Sequence, residues 1–481
     1  MLLDSTVNPK NDPKRLREKI TKLEQRSRLL EPSPEEYEQW LRQTIRFAST
    51  FLSELPNAPA LAPSNPALVT ERVPLHSTHF DVLLDFLSKH VLTRGLNAAS
   101  GRYIAYVPGG GLPAAAIGDF LAALTNRYSG NYGACPPAAE IENVCVQWLM
   151  EMVGFPQHGW GTLTSGGTIA ALTALVAARN TKPASDWHKC VVYLTSETHH
   201  SIPKVIGTVG LTEVIKRLVP VDSAFRMDVA ALREMIANDR KSGLIPWIVC
   251  ATAGTTNSGA IDPIGLLADV AKEHKIWLHV DGAYGGLFAL TSQARPLLAG
   301  IERADSLVLD PHKSLFLPYG CGAVLVADRR LLRSSFSFHP DYLVDLQQDQ
   351  LLSPSDCSVE GTRHFRALRM WLSVKIHGLE TIRAALEEKV LLAQYAYHQL
   401  SQIKGVQVGP FPQLSCVTFR LANDGLTKLL VERMQARGEI YPSSTRLNDR
   451  LYIRFCIVHF RTHLPEIERG LEEVRLLAAE P

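Results

Sequence analysis

Apolar and polar positions change their spacing twice along the chain. From Pro34 the pattern is helical: Tyr37, Leu41, Ile45, Phe51 and Leu52 recur at helical intervals, with Trp40 beside them. Before that point residues 1–33 are polar and charged, and KRLREKITKLEQRSR reads as a solvated helix or arm. After the stripe comes LPNAPALAPSNPA, a proline- and alanine-rich connector. From about residue 100 short runs rich in β-branched residues alternate with helical stretches. The runs are CVVYLTS (190–196), PWIVCATAG (246–254), KIWLHVD (275–281), SLVLD (306–310) and GAVLVA (322–327). This alternation predicts an α/β fold with a mostly parallel sheet covered by helices, and ligands in such sheets sit beyond the carboxyl ends of the strands. Near residue 370 the texture shifts again. One long helical pattern runs from about Phe365 to Gln402, the strand-like pieces SCVTFRL and RLYIRFCI follow, and a last helix comes after them. The expected division is an N-terminal helical segment (1–100), a large domain (101–373) and a small α+β domain (374–481).

Composition narrows the class. Of 481 residues, 46% are hydrophobic and 20% charged, enough apolar material for several packed units and too much for a disordered chain. Fifty basic residues face 48 acidic ones, so bulk positive charge gives no reason to expect a nucleic-acid partner. No membrane partner is expected either: the richest apolar stretch, Leu315 to Ala327, is broken by Pro318 and Gly320. The first residues hold no apolar leader-like run, so the expected location is cytoplasmic. Eight cysteines occur without CxxC spacing, mostly inside apolar runs; they read as buried free thiols rather than disulfides or metal ligands, and no metal is expected.

Chemistry concentrates where the strands should end. Lys313 in DPHKS follows one apolar run, and Asp281 in HVDGAY closes another. A lone lysine there would be a surface residue, and a lone aspartate a cap or an ion-pair partner. Two costly ionisable groups at the ends of separate parallel strands point instead to one cleft. In GTLTSGGTIAALTALVAAR, Ser165, Gly166, Gly167 and Thr168 precede a strong helix, the arrangement by which bare amides and a helix N-terminus hold an anion. The GK[ST] ending of a Walker A loop and the full GxGxxG spacing are both absent. His199 and His200 in THHSIPK suggest a metal or a stacked ring, and no further ligand stands at metal-binding spacing nearby. ATAGTTNSGAID (251–262) leaves room for a ligand among small polar residues. Together these parts suit pyridoxal 5'-phosphate, which needs a lysine for its aldehyde, a carboxylate for its pyridine nitrogen, a phosphate cup and a ring-stacking group.

With TSGGT, HHSIPK, AGTTNSGAID, HVDGAYGG and DSLVLDPHKS in that order, the sequence resembles the group II pyridoxal-phosphate-dependent amino-acid decarboxylases, among them the aromatic-L-amino-acid, tyrosine, histidine and glutamate decarboxylases. The resemblance runs from about Tyr37 to the C-terminus, and GRYIAYVPGGG and NYGACPPAAEIEN are similar to family segments that shape the substrate pocket. It implies the fold-type I architecture and a homodimer with its site near the subunit interface. It also implies that Lys313 carries the cofactor, that Asp281 partners the pyridine nitrogen, and that Ala283 and His199 lie against the ring. By the same resemblance Gly166, Gly167, Thr168 and His312 surround the phosphate, Thr256 touches the cofactor, and Arg454 in YIRFCI helps hold the substrate carboxylate. Tyr106 and Tyr132, with Tyr103, are expected to line an aromatic pocket. The implied reaction turns an L-amino acid, by expectation an aromatic one, into its amine and carbon dioxide. Two departures stand out. The stretch 344–363, where relatives carry a proton-donating tyrosine, holds no tyrosine, histidine or phenylalanine, and Pro354 falls near the expected place. This leaves open an aldehyde-forming oxidative variant and a cofactor-binding relative without turnover. Ser314 follows the lysine where many relatives have a bulky aromatic, which implies a smaller or wetter pocket wall.

Overall fold

The computed structural model describes residues 12–65, 73–338 and 352–479. The chain forms two compact units, residues 1–58 with 62–95, and residues 59–61 with 96–481. In the first, α1 (Pro13–Ser27) precedes α2 (Pro34–Glu54) and α3 (Phe80–Leu87). Ser33 and Glu36 cap α2 reciprocally, which satisfies two amides that the helix start would leave unpaired. The predicted apolar stripe lies on α2 but is not buried: Ile45 is 63% exposed.

The second unit carries a seven-stranded sheet of β1 (Trp160–Thr164), β2 (Cys190–Leu194), β3 (Ile215–Leu218), β4 (Ile245–Thr252), β5 (Trp277–Gly282), β6 (Ser306–Leu309) and β7 (Gly322–Val326). Their order is β1-β7-β6-β5-β4-β2-β3. Strands β6, β5, β4, β2 and β3 pair in parallel, and β7 runs antiparallel between β1 and β6. Every residue of β2, β6 and β7 is buried, as continuous apolar runs demand when helices cover both faces. The helices are α4 (Pro113–Thr125), α5 (Pro136–Val153), α6 (Gly167–Arg179), α7 (Ser201–Thr208), α8 (Val229–Lys241), α9 (Ile264–His274), α10 (Arg329–Phe336), α11 (Ala367–His377) and α12 (Leu379–Ser401), then α13 (Asp424–Arg437) and α14 (Leu464–Ala479). A second sheet, antiparallel throughout, orders β8 (Gln407–Val408), β9 (Cys416–Arg420), β11 (Arg450–Cys456) and β10 (Ser443–Leu447).

Two features differ from the expected pattern. The single helix expected over Phe365–Gln402 is two, because Gly378 takes φ 73° and ψ 154°, which ends α11 and starts α12. The two edge strands, β1 and β3, escaped the apolar pattern. In β3, Lys216 and Leu218 face outward on an edge. No helix among the described residues is long and apolar enough to cross a membrane.

The outer edge of β1 is closed by a buried ion pair. Glu142 of α5 accepts the Leu163 amide at 3.1 Å, and Arg363 donates to the Leu163 carbonyl. The two side chains pair at 2.9 Å with exposures of 1% and 0%. Backbone groups that a further strand would pair are thus satisfied by charges, and the turn after β1 is anchored. We predict that Glu142→Ala lowers the free energy of unfolding by about 3–5 kcal/mol, since it strands a buried guanidinium. Urea titration measures this; a loss below about 1 kcal/mol would contradict it.

Candidate active site

The carboxyl ends of β1, β2, β4, β5 and β6 open onto one cavity of about 330 Å³. Ser165, Gly166, Gly167 and Thr168 enter it from the β1–α6 turn, and His199 and Ser201 from beyond β2. Thr252, Gly254 and Thr256 come from β4 and its loop, Asp281, Ala283 and Tyr284 from β5, and Asp310, His312 and Lys313 from beyond β6. Parallel register makes the strand ends neighbours: Thr252 pairs with Asp281, and Asp281 with Val308.

Lys313 sits on a single helical turn, Pro311–Ser314. Its Nζ lies 2.9 Å from Asp310 Oδ2, and Asp310 is only 2% exposed. The other carboxylate oxygen, Oδ1, is buried without a hydrogen-bond partner. Ser314 turns away from the cavity; its hydroxyl donates to the Tyr284 carbonyl at 2.5 Å and ties the lysine turn to the β5 loop. The expectation of a smaller or wetter wall at Ser314 is therefore corrected, because this side chain is fully buried and lines no part of the cavity.

The imidazoles here are held neutral. Burial pushes His199 below the ordinary imidazole range; Asp281 opposes this, while His200 and Lys313 reinforce it. Its Nδ1 accepts the Ser201 amide at 3.3 Å. Burial lowers His312 likewise, with Asp310 opposing, and its Nδ1 donates to the Cys321 carbonyl at 2.7 Å. Lys313 is the one lysine or arginine among the described lining residues. Asp281 Oδ1 accepts the Ala283 amide at 3.1 Å, which fixes the carboxylate.

These groups fit pyridoxal phosphate. The start of α6 offers unpaired amides and the positive end of a helix dipole. A Cβ added to Gly167 would come within 2.9 Å of Asp310 Oδ2, so side-chain-free backbone is what keeps that end open. An amine, a fixed carboxylate and a flat neutral ring face the same space.

Four expected residues stand elsewhere within one chain. Tyr106 is 59% exposed, and Tyr103 is buried against Tyr441, with ring centroids 5.8 Å apart. The Tyr132 amide donates to Ser353 Oγ at 2.9 Å. None of the three lines the cavity. Arg454 is buried and reaches the site only through backbone, donating to the Thr256 carbonyl and, at 3.1 Å, to Ser443 Oγ. His200 is exposed beside His199, with ring centroids 4.1 Å apart. Pro354 is buried in a short helical turn, Pro354–Cys357. The portion 344–351 of the tyrosine-free stretch lies outside the described residues. Asp310, Ser201 and Tyr284 also line the cavity, although none of them is among the cofactor or substrate residues expected from the sequence. For Asp310 a signal existed, since i and i+3 on one turn place it beside Lys313.

Residues 66–422 match the family described as the pyridoxal-dependent decarboxylase conserved domain. The aromatic-L-amino-acid decarboxylase of Bacillus atrophaeus is 35% identical over 423 residues, covering 86% of this chain and 88% of its own. Tryptophan decarboxylase 1 of Oryza sativa subsp. japonica is 29% identical over 456 residues, 87% of this chain and 89% of its own. Among solved structures, Oryza sativa TDC with PLP and tryptamine superposes with a TM-score of 0.87 at 26% identity, covering 94% of this chain and 99% of that one.

One carboxylate behind the site sets a measurable pH dependence. Asp262 accepts the Met227 and Thr252 amides, each at 2.7 Å, yet burial still pushes its carboxyl up from 3.8 to about 6. The folded state therefore binds this proton more tightly than the unfolded one. The stabilisation is fully present below about pH 4 and is lost as pH rises through 6, worth roughly 3 kcal/mol for two units. We predict that chemical denaturation of Asp262→Asn lacks this fall between pH 4 and 7. A shared slope in both proteins would count against it.

Proposed function

This chain belongs to the pyridoxal-dependent decarboxylase family, its cofactor is pyridoxal phosphate, and on that premise we propose that Lys313, Asp281 and His199 serve the decarboxylation of an aromatic L-amino acid to its amine. The observation that carries this reading is the convergence of lysine, aspartate, histidine and a bare helix start on one cavity. When bound, the cofactor supplies a sink for the electron pair released from the Cα–carboxyl bond. Lys313 offers the amine to which its aldehyde binds. Asp281 holds a proton on the ring nitrogen and so keeps the ring electron-poor. His199 would stack on the ring, and because burial disfavours its charged form it would add no second cation beside that proton. Gly166, Gly167 and Thr168 take the phosphate with main-chain amides, His312 borders the same group, and Thr256 and Ala283 complete the floor.

Tyr106, Tyr132 and Arg454 are proposed for substrate recognition at the boundary of a homodimer. The apolar side chains that α1 and α2 leave open, Leu23 and Ile45 each at 63% exposure, suit a contact with a second copy. The proposed location is cytoplasmic, and eight cysteines without a disulfide suit a reducing compartment. The division into 1–100, 101–373 and 374–481 is kept on the ground that the seven-stranded sheet lies within 160–326 and the four-stranded one within 407–456. With no tyrosine in 344–363, the proton returned to Cα is assigned to a group outside that stretch.

The test offers purified protein, loaded with pyridoxal phosphate, a panel of aromatic, acidic and basic amino acids, and follows carbon dioxide, amine, aldehyde and peroxide together. Carbon dioxide with stoichiometric amine from an aromatic substrate is expected. Lys313→Ala is expected to lose the borohydride-reducible cofactor adduct and at least about a thousandfold in rate, some 4 kcal/mol of barrier. Aldehyde with peroxide would replace the proposal by the oxidative reading. Cofactor binding without carbon dioxide from any substrate would replace it by the non-catalytic one.

A further inference from the structure

A second cavity, of about 610 Å³, lies at the opposite end of the same sheet. Its floor is made by the first residues of β4 and β5, and its rim by the end of α9, the turn after α6 and the segment before β6. Two indoles form its aromatic wall. Trp247 is buried and its Nε1 donates to Thr181 Oγ1 at 3.2 Å; Trp277 is half-buried and its Nε1 donates to Ser306 Oγ at 2.8 Å. With both N–H groups satisfied inside the protein, the rings are fixed: Trp247, 2% exposed, backs the wall, and the half-buried Trp277 offers the accessible carbon face.

Charge around the opening is one-sided. Lys182, Lys272, Lys275 and Arg303 line the cavity, against Asp305 alone. Arg303 is engaged by Asp269 at 2.7 Å, and Asp305 by the Leu278 amide at 2.7 Å, where burial pushes its carboxyl up. No ion pair joins Lys182, Lys272 or Lys275 to an acidic residue among the described residues. The carboxyl end of α9 contributes partial negative charge nearby, and three full cations outweigh it. Lys275 is held at φ 55° and ψ 46°, a helix-ending conformation in which glycine is the usual residue. A lysine at that position costs backbone freedom and places a third cation at the rim.

A fixed aromatic face below lysines without an acidic partner matches a ligand that joins a planar ring to a multiply charged anionic group. We propose that this cavity binds a nucleoside phosphate, its base against the half-buried Trp277 and its phosphate among Lys182, Lys272 and Lys275. The site is distinct from the decarboxylase cavity but shares its scaffold. β4 carries Trp247 toward this cavity and Thr252 toward the other, β5 carries Trp277 and Asp281 likewise, and Asp305 and Asp310 flank β6.

The experiment titrates ADP into the protein loaded with pyridoxal phosphate, so that the first cavity's phosphate cup is filled, and reads heat and tryptophan fluorescence. One ADP per chain is expected, weakening as salt rises. Lys272→Glu with Lys275→Glu should weaken it at least tenfold while leaving cofactor absorbance unchanged, and Lys272→Arg with Lys275→Arg should keep it. Inorganic phosphate and adenosine, titrated separately, should each bind far more weakly than ADP. Equal affinity for phosphate and ADP would remove the aromatic half of the proposal, and equal affinity for adenosine the ionic half. No binding of ADP at millimolar concentration, or unchanged binding by the double glutamate variant, would overturn it entirely.

Discussion

The ion pair between Lys313 and Asp310 is the constraint around which the site is arranged. A carboxylate 2% exposed is costly without a partner, and the lysine three residues on supplies it at 2.9 Å. The pair holds the lysine's stem over the cavity instead of letting it swing to solvent. It also shapes its surroundings. Gly167 must lack a side chain because Asp310 stands where one would go, and the Ser314 hydroxyl pins the lysine turn to the Tyr284 carbonyl. His312 sits 3.7 Å from the same carboxylate and stays neutral, so it does not compete for the charge.

The sheet converts this local pair into a site. Parallel register sets Thr252 beside Asp281 and Asp281 beside Val308, so polar residues at the strand ends become neighbours. The edge strand β1 lacks a neighbour on one side, and the Glu142–Arg363 pair takes that neighbour's place. The turn after β1 leads into α6, so stability at the sheet edge and geometry at the helix start are linked. The same strands have a second set of ends, where two tryptophans and three lysines surround the other cavity. One scaffold thus presents two chemically different concavities, one with a single buried ion pair and one with unpaired surface cations.

Much was legible in the sequence because the chemistry demands particular residue types at strand ends, and strand ends can be read from short apolar runs. The five runs named from the sequence are five of the seven strands; Asp281 at the end of one and His199 and Lys313 beyond two others meet in one cavity with the Gly166–Thr168 turn, which follows β1. Local rules also explain what was misread. β3 alternates exposed and half-buried residues, and Gly378 interrupts a periodicity that continues on both sides of it. Neither shows in a count of apolar positions.

The sequence by itself determined the fold class and the order of the cofactor-type motifs, since each depends on neighbours within a few residues. Only the tertiary structure decided which residues share space. It drew Asp310 into the site and turned Ser314 out of it. It tied Arg454 to the Thr256 backbone, and left Tyr106 and Tyr132 outside the cavity of a single chain. The reason is range. Strand and turn formation are governed by interactions along the chain, whereas a side chain's aim is set by packing and hydrogen bonds with residues far away in sequence, such as the 198 positions between Thr256 and Arg454.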